Sequence, residues 1–223
     1  MKPRLLDLFC GAGGASMGYY RAGFEVVGVD INPQSHYPFE FHQADALTYP
    51  LDGFDAYHAS PPCQAFTKYK NLRKDLPCRY PNLLPAIRER LSKTGLPYII
   101  ENVVGAPLIE PVTLCGSMFG LEVRRHRLFE SNISIPARQC DHSVWPPNRY
   151  PGGRSIERGG CHTLCRATVE VGKWGIPKKV QESAMGIDWT NLHELSEAIP
   201  PAYTEYIGKY LMEAIKHEPP NHS

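Results

Sequence analysis

Arg4-Leu5-Leu6-Asp7-Leu8-Phe9-Cys10-Gly11-Ala12-Gly13-Gly14 is the stretch on which the fold of this chain turns. Its apolar first half predicts a strand, its glycines a tight turn whose backbone can approach a ligand closely, and Ala15 to Ala22 has helix-forming composition. The pattern then repeats. A β-branched run from Val26 to Val29 closes on Asp30, and Ala56 to Ala59 predicts a strand that Ser60-Pro61-Pro62 stops. Pro85 to Leu91 continues a helix that starts near Asn82, and Tyr98 to Ile100 is an apolar strand that runs into Glu101-Asn102. Strands alternating with helices predict an α/β fold, a doubly wound and mostly parallel sheet covered on both faces. Ligands of such sheets sit beyond the carboxyl ends of the strands. Cys10 to Gly14, Asp30, Ser60 to Gln64 and Glu101-Asn102 all fall at those ends, so they can converge on one crevice.

Working outward, 223 residues suffice for one catalytic domain with a modest appendage. From about Ser131 to Gly175 the texture changes: Pro136, Pro146-Pro147, Pro151-Gly152-Gly153 and Gly159-Gly160 break any long element, which reads as a loop-rich insert. Regularity returns where Pro200-Pro201 opens a helix that Ala202 to Ile215 continues. The expected organisation is a catalytic and cofactor-binding domain over 1–130, a short insert over 131–177, a return to the domain with a closing helix over 178–217, and a flexible tail over 218–223. The net charge of +1 is uninformative, since binding a polyanion needs a basic face rather than a basic total. Eleven Lys and Arg against five acids between Leu121 and Val180 put +6 there and −5 elsewhere, which suits phosphate contact. No long apolar run and no leader-like amino terminus are present, and the seven cysteines do not form a secretory disulfide pattern. A soluble, cytoplasmic, monomeric protein with reduced thiols and no membrane association is expected.

Four motifs carry chemistry. Asp30 at a strand end can accept hydrogen bonds from ribose hydroxyls, and the absence of a P-loop Lys-Ser/Thr favours a ligand with ribose but no phosphate. In Ser60-Pro61-Pro62-Cys63-Gln64 two prolines stiffen a strand end and present a thiol at a fixed place, so Cys63 is read as functional. Cys10, Cys78 and Cys115 are read as packing residues. A carboxyl at Glu101, after an apolar strand, would be desolvated and suited to sharing a proton. Arg124-Arg125-His126-Arg127 offers guanidinium groups for a carbonyl or a phosphate; as a strand it would put Arg125 and Arg127 on one face.

In this order and spacing, DLFCGAGG, VGVD, SPPCQ, ENV and RRHRLF resemble the motif series of the cytosine-C5 DNA methyltransferases over nearly the whole chain. QESAMGIDW and SEAIPPAYTEYIGKYL resemble, more weakly, the family's later motifs. The resemblance implies a class I, Rossmann-like methyltransferase fold and S-adenosylmethionine as cofactor, with S-adenosylhomocysteine as product and no metal needed for the chemistry. It implies DNA as partner, with a cognate restriction endonuclease in systems that carry one. It gives Cys63 the nucleophile's role, Glu101 contact with ring nitrogen 3 of cytosine and Arg127 the ring carbonyl. Arg125 becomes a positioning residue and Asn102 the residue that orients the Cys63 loop. Around the cofactor it places Phe9, Gly11, Gly13, Asp30, Ile31, Asp45, Pro62, Leu83 and Glu197.

The chain departs from the pattern at Ser196-Glu197, where the family carries Gly-Asn. An acid near the cofactor's carboxylate would repel it unless Glu197 is protonated or turned away. The insert is short for a target-recognition region, so a short or relaxed recognition sequence is expected. It also holds Cys140, His142, Cys161 and Cys165, residue types that ligate zinc, but their spacing is not that of a standard finger and ordinary loop residues are the preferred reading. Pro61 to Thr67 is equally similar to the catalytic loop of the family's tRNA branch, although no Cys-Phe-Thr segment marks the insert as that branch's. A catalytically degenerate nucleic-acid-binding relative is the remaining alternative, and intact Cys63, Glu101 and Arg127 speak against it.

Overall fold

Apolar side chains that alternate along five short segments need two covered faces, and the chain supplies them. The computed structural model describes residues 1–64, 66, 81–142 and 168–217. Its strands are β1 (Arg4–Leu8), β2 (Glu25–Asp30), β3 (Glu40–Gln43), β4 (Ala56–Ala59), β5 (Tyr98–Asn102), β6 (Val112–Leu114) and β7 (Arg127–Ser131). The helices are α1 (Gly14–Ala22), α2 (Leu84–Ser92), α3 (Lys178–Met185), α4 (Leu192–Glu197) and α5 (Pro201–His217), with a 3-10 turn at Gly116–Phe119. The seven strands form one sheet in the order β3-β2-β1-β4-β5-β7-β6. β1 to β5 run parallel, whereas β7 is antiparallel to both β5 and β6. Strand order reverses on either side of β1, so the crevice at the carboxyl ends of β1 and β4 is the switch point where ligands of such sheets bind.

On one face Leu5, Val26, Ala56 and Ile99 pack beneath Tyr19 of α1 and Tyr203, Ile207 and Leu211 of α5. On the other, Leu6, Leu8, Val27, Val29, Tyr57, Ala59 and Ile100 pack with Leu84, Ile87 and Leu91 of α2. Each such side chain, taken fully out of water, contributes roughly 1.5–3 kcal/mol. A third cluster of Val123, Val169, Ala184, Met185, Ile187 and Leu195 joins α3 and α4 to the segment ahead of β7. There the Val169 N–H donates to the Glu122 carbonyl at 2.6 Å. Most of the expected insert lies outside the described residues, as do Cys78, Cys161, Cys165 and the tail. No helix among the described residues is long and apolar enough to cross a membrane.

The local readings hold where the signal was periodic, and two strands escaped it. β3 and β6 sit at the sheet's two edges, where among their residues only Leu114 is buried, so their sequences carry little apolar pattern. β5 also extends through Glu101 and Asn102, which are buried strand residues rather than the polar sequel to a strand. β7 begins only at Arg127, so Arg124 and Arg125 lie in the connection before it rather than in a strand.

α5 is drawn onto α1 by small residues. The Thr204 hydroxyl donates to the Ala15 carbonyl at 2.8 Å across the crossing. A Cβ on Gly18 would lie 2.0 Å from Thr204 Oγ1 and 2.2 Å from the Pro201 carbonyl oxygen, and one on Gly14 would lie 2.5 Å from the Ile199 carbonyl oxygen. Alanine is the better helix former by about 1 kcal/mol, but overpacking against backbone costs about 1–3 kcal/mol. Urea unfolding of Gly18→Ala is therefore expected to show a net loss of about 1–2 kcal/mol, where a helix limited by propensity alone would gain stability.

Candidate active site

The site is assembled where β1, β4 and β5 end and where the reversed strand β7 begins. Pro61, Pro62 and Cys63 leave β4, and the Asn102 side chain at the end of β5 donates to the Pro61 carbonyl at 2.9 Å. Asn102 is 1% exposed, and its own Oδ1 accepts the Val103 N–H at 2.9 Å. One buried amide thus ties the proline loop to the neighbouring strand. Cys63 is half-buried with a free thiol.

Glu101 is buried in β5 and paired with Arg127, whose Nε lies 3.1 Å from Oε1. Burial pushes the Glu101 carboxyl above the ordinary carboxylate range, against the pull of Arg127, a hydrogen bond from Ser60 and the charge of Arg125. Glu101 and Arg127 both bear on Cys63. Burial first, then the charge on Glu101, raises the thiol's pKa, while Arg127 draws it back and Glu197 adds to the rise. Thiol, carboxyl and guanidinium thus form one electrostatic unit.

Beneath Glu101 lies a chain of polar groups that the motifs did not reveal. Ser60 Oγ is 2.8 Å from His58 Nε2, and His58 Nδ1 is 2.9 Å from the Tyr19 hydroxyl. Burial lowers the His58 pKa to about 3, so its ring is neutral at any working pH. A neutral imidazole donates from one nitrogen and accepts at the other. One arrangement satisfies every member when Glu101 is ionised: Tyr19 donates to His58, His58 to Ser60, and Ser60 to Glu101. A histidine inside a four-residue apolar strand was the available signal.

Arg125 holds the site together. Its side chain donates to the Ser196 carbonyl, and its own carbonyl accepts the Tyr203 hydroxyl at 2.6 Å. Burial, then the neighbouring Arg127, lowers its pKa to about 9. These contacts join the segment before β7 to the last turn of α4 and the first turn of α5.

On the cofactor side, Asp30 ends β2, and its carboxylate accepts the Gly11 N–H at 3.1 Å and the Asn32 N–H at 2.9 Å. A carboxylate has about four lone-pair sites, so acceptor capacity remains for two hydroxyls. Phe9 adopts φ 59°, a region costly for a bulky residue, and Gly11 and Gly13 have φ 49° and 83°. A Cβ added to Gly11 would meet nothing within 4 Å, so space is open beside that residue, whereas one added to Gly13 would lie 2.9 Å from Tyr37 and Pro38, which cover the other half of the turn. Ile31 beside Asp30 is 64% exposed, an apolar surface at the rim of that space. Pro62 and Leu83 are partly exposed, Leu83 at the entry to α2, and Asp45 is exposed. A carboxylate for ribose, open space beside Gly11 and exposed apolar residues fit an adenosine-bearing ligand. The Trp189 indole N–H, donating to the Ala12 carbonyl at 2.8 Å, fixes the turn from the far end of the chain and was not singled out from the sequence. Glu197 closes α4 with its side chain 66% exposed, 3.8 Å from His193 Nδ1.

Among the cysteines, Cys10 is buried, in keeping with its packing role. Cys115 is buried too, but it is no mere filler: its sulfur lies 3.3 Å from His142 Nε2, while the Cys140 sulfur lies 3.7 Å from His126 Nε2. Cys140 and His142 therefore meet Cys115 and His126.

No family model matches the chain, and the search of curated proteins likewise finds no match. Solved structures do match. A protein described as a DNA modification methyltransferase encoded within an E. coli prophage superposes with a TM-score of 0.62 at 14% identity, covering 96% of this chain and all of that one (100%). The Entamoeba histolytica methyltransferase EhMeth gives 0.62 at 10% identity, covering 96% of this chain and 98% of its own. The S. pombe Dnmt2 methyltransferase gives 0.59 at 14% identity, with coverage of 96% and 99%. The chain thus has the class I methyltransferase fold over nearly its whole length.

The sign of the coupling around Cys63 can be read by alkylation. A thiol pushed above its ordinary pKa of 9.0 holds less thiolate at neutral pH, so Cys63 labelling by iodoacetamide, followed residue by residue by mass spectrometry, is expected to keep rising through pH 9. Glu101→Gln removes a negative neighbour and moves the profile to lower pH, giving about threefold or more faster labelling at pH 8. Arg127→Gln moves it the other way.

Proposed function

We propose that this chain is a DNA (cytosine-5-)-methyltransferase that uses S-adenosylmethionine and attacks the target base with Cys63. The observation that carries the reading is the meeting of Cys63, Glu101 and Arg127 at one edge of a class I methyltransferase sheet, beside a glycine turn and Asp30 suited to an adenosine. Carbon 5 of cytosine is a poor nucleophile. Attack by the Cys63 thiolate on carbon 6 makes carbon 5 enamine-like, and loss of the carbon 5 proton after methylation lets Cys63 leave. The cofactor supplies the electrophilic methyl group, leaving S-adenosylhomocysteine.

The chain's own residues set the rest. A carboxyl raised by burial and backed by Ser60, His58 and Tyr19 can share a proton with ring nitrogen 3, stabilising charge that builds during attack. Arg127, aligned by its ion pair with Glu101, offers its remaining N–H groups to the ring carbonyl. Phe9, Ile31, Pro62 and Leu83 would flank the adenine with Asp45 at its amino group, and Asp30 would take the ribose hydroxyls. The exposed side chain of Glu197 supports a cofactor carboxylate that is held without the family's asparagine, Glu197 being turned outward beside His193. A base in duplex DNA must be flipped out to reach these groups, at a cost of a few kcal/mol. DNA is favoured over tRNA by the lack of a Cys-Phe-Thr segment in the insert, while the basic excess between Leu121 and Val180 suits the phosphates of either. Such an enzyme would act in the cytoplasm as a monomer, with or without a cognate endonuclease.

Transfer of label from S-adenosylmethionine to duplex DNA, tRNA and free dCMP tests the reading. Label is expected in duplex DNA and to fall by about a thousandfold or more in Cys63→Ser, whose hydroxyl is the weaker nucleophile. Label in tRNA alone would move the substrate to the tRNA branch, and none in any acceptor would leave a binding protein.

A further inference from the structure

We propose that Cys115, His126, Cys140 and His142 form a tetrahedral zinc site that staples the root of the insert to the catalytic sheet. Their four donor atoms all lie within 4.8 Å of one another. Zinc bonds of about 2.3 Å to sulfur and about 2.0 Å to nitrogen, at the tetrahedral angle, put a sulfur and a nitrogen about 3.5 Å apart. The two thiol–imidazole pairs, at 3.3 Å and 3.7 Å, bracket that spacing. Both histidines present Nε2, and their rings meet edge to face with centroids 5.1 Å apart, which lets two nitrogens converge without stacking.

The donor set selects the ion. Two thiols and two imidazoles are borderline-soft ligands that suit zinc and not magnesium or calcium, which take oxygen. Two thiolates neutralise the charge of one Zn²⁺, so the filled site is electrically neutral, as a cluster containing the fully buried Cys115 requires. The Ser117 hydroxyl donates to the Cys115 sulfur at 3.4 Å, a supporting contact of the kind that orients metal ligands. Four ligands of one chain, with no place left for water, make a structural site rather than a catalytic one.

The placement gives the ion a task. Cys115 follows β6, His126 immediately precedes β7, and Cys140 and His142 lie beyond β7 where the expected insert begins. Leu114 pairs with Arg127 in the β6–β7 ladder, so Cys115 and His126 leave the same end of that ladder, and one ion would tie Cys140 and His142 to the pair. The ligands are also interleaved with the arginines of the active site. Arg124 donates to the His142 carbonyl at 2.6 Å, and Arg127 Nη1 donates to the His126 carbonyl at 2.9 Å. Zinc would fix the segment carrying Arg125 and Arg127 while anchoring the insert. Cys161 and Cys165, the other candidates in the insert, are not needed to complete the four.

Metal content of the untagged full chain, purified under reducing conditions without chelator, tests the site. About one zinc per chain is expected, falling to below about 0.2 in Cys115→Ser and in His142→Ala. It should be kept in His142→Cys, which restores a ligand, and in Cys161→Ser and Cys165→Ser. Replacement by Co²⁺ in the wild type is expected to give the intense visible bands of a tetrahedral ion and thiolate-to-cobalt charge transfer, a readout that needs no variant to fold. Less than about 0.2 zinc per chain, both as purified and after anaerobic incubation with zinc, would overturn the proposal. So would weak octahedral cobalt bands, zinc retained in Cys115→Ser, or zinc lost in Cys161→Ser.

Discussion

A carboxyl group placed inside a β-sheet is the constraint around which this molecule is organised. Glu101 sits in β5 with almost no access to water, and a buried charge stripped of its partner costs about 3–5 kcal/mol. Arg127 meets it, and the meeting depends on strand direction. β7 runs against β5 in the register Asn102 with Leu128 and Glu101 with Phe129. A strand entering the sheet in this sense begins at the edge where the parallel strands end, so its first residue arrives beside the last residues of β5. A parallel strand in the same slot would deliver its first residue to the opposite edge, away from Cys63. The single reversed strand between β5 and β6 is thus what brings a guanidinium to the carboxyl ends of β4 and β5.

The second half of the site is held by the end of the chain folding back on its beginning. α5 packs on α1 through glycines that admit no side chain, and Trp189 caps the glycine turn by bonding the Ala12 carbonyl. Tyr203 and the Ser196 carbonyl grip Arg125 from the same C-terminal region. The glycine turn and the arginine segment, more than a hundred residues apart in sequence, therefore share one support. A displacement of the α4–α5 connection would disturb both.

The groups that carry chemistry are also graded by solvent. His58 is kept neutral by complete burial, Glu101 is raised but partly compensated by Arg127 and Ser60, and Cys63 remains half open to an incoming reactant. Burial thus falls off from a dry interior at His58 to an accessible thiol at Cys63, with the carboxyl between them kept from water. The Cys115, His126, Cys140 and His142 group stands on the far side of the same arginines, so the edge that carries the chemistry is also where the insert is rooted.

Sequence alone determined the parts that repeat with a local period or bring a stiff turn: the strand, glycine turn and helix from Arg4 to Ala22, the Asp30 strand end, the proline-braced Cys63 and the closing helix. It reached Asn102 and Arg125 through family resemblance, and the structure shows the bonds through which each positions its neighbours. It did not show β3 or β6, edge strands whose half-exposed residues leave little apolar alternation, or that Glu101 and Asn102 lie within a strand. Nor did it show the Tyr19–His58–Ser60 chain, the Trp189 anchor or the partnership of Cys115 with His142. Apart from the step between His58 and Ser60, those depend on residues from 27 to 177 positions apart meeting in space. Periodicity reports which face of an element is apolar, because that is decided within a few residues. Which polar side chains meet across the sheet is decided only when strand order and direction are set, and here the direction of β7 set it.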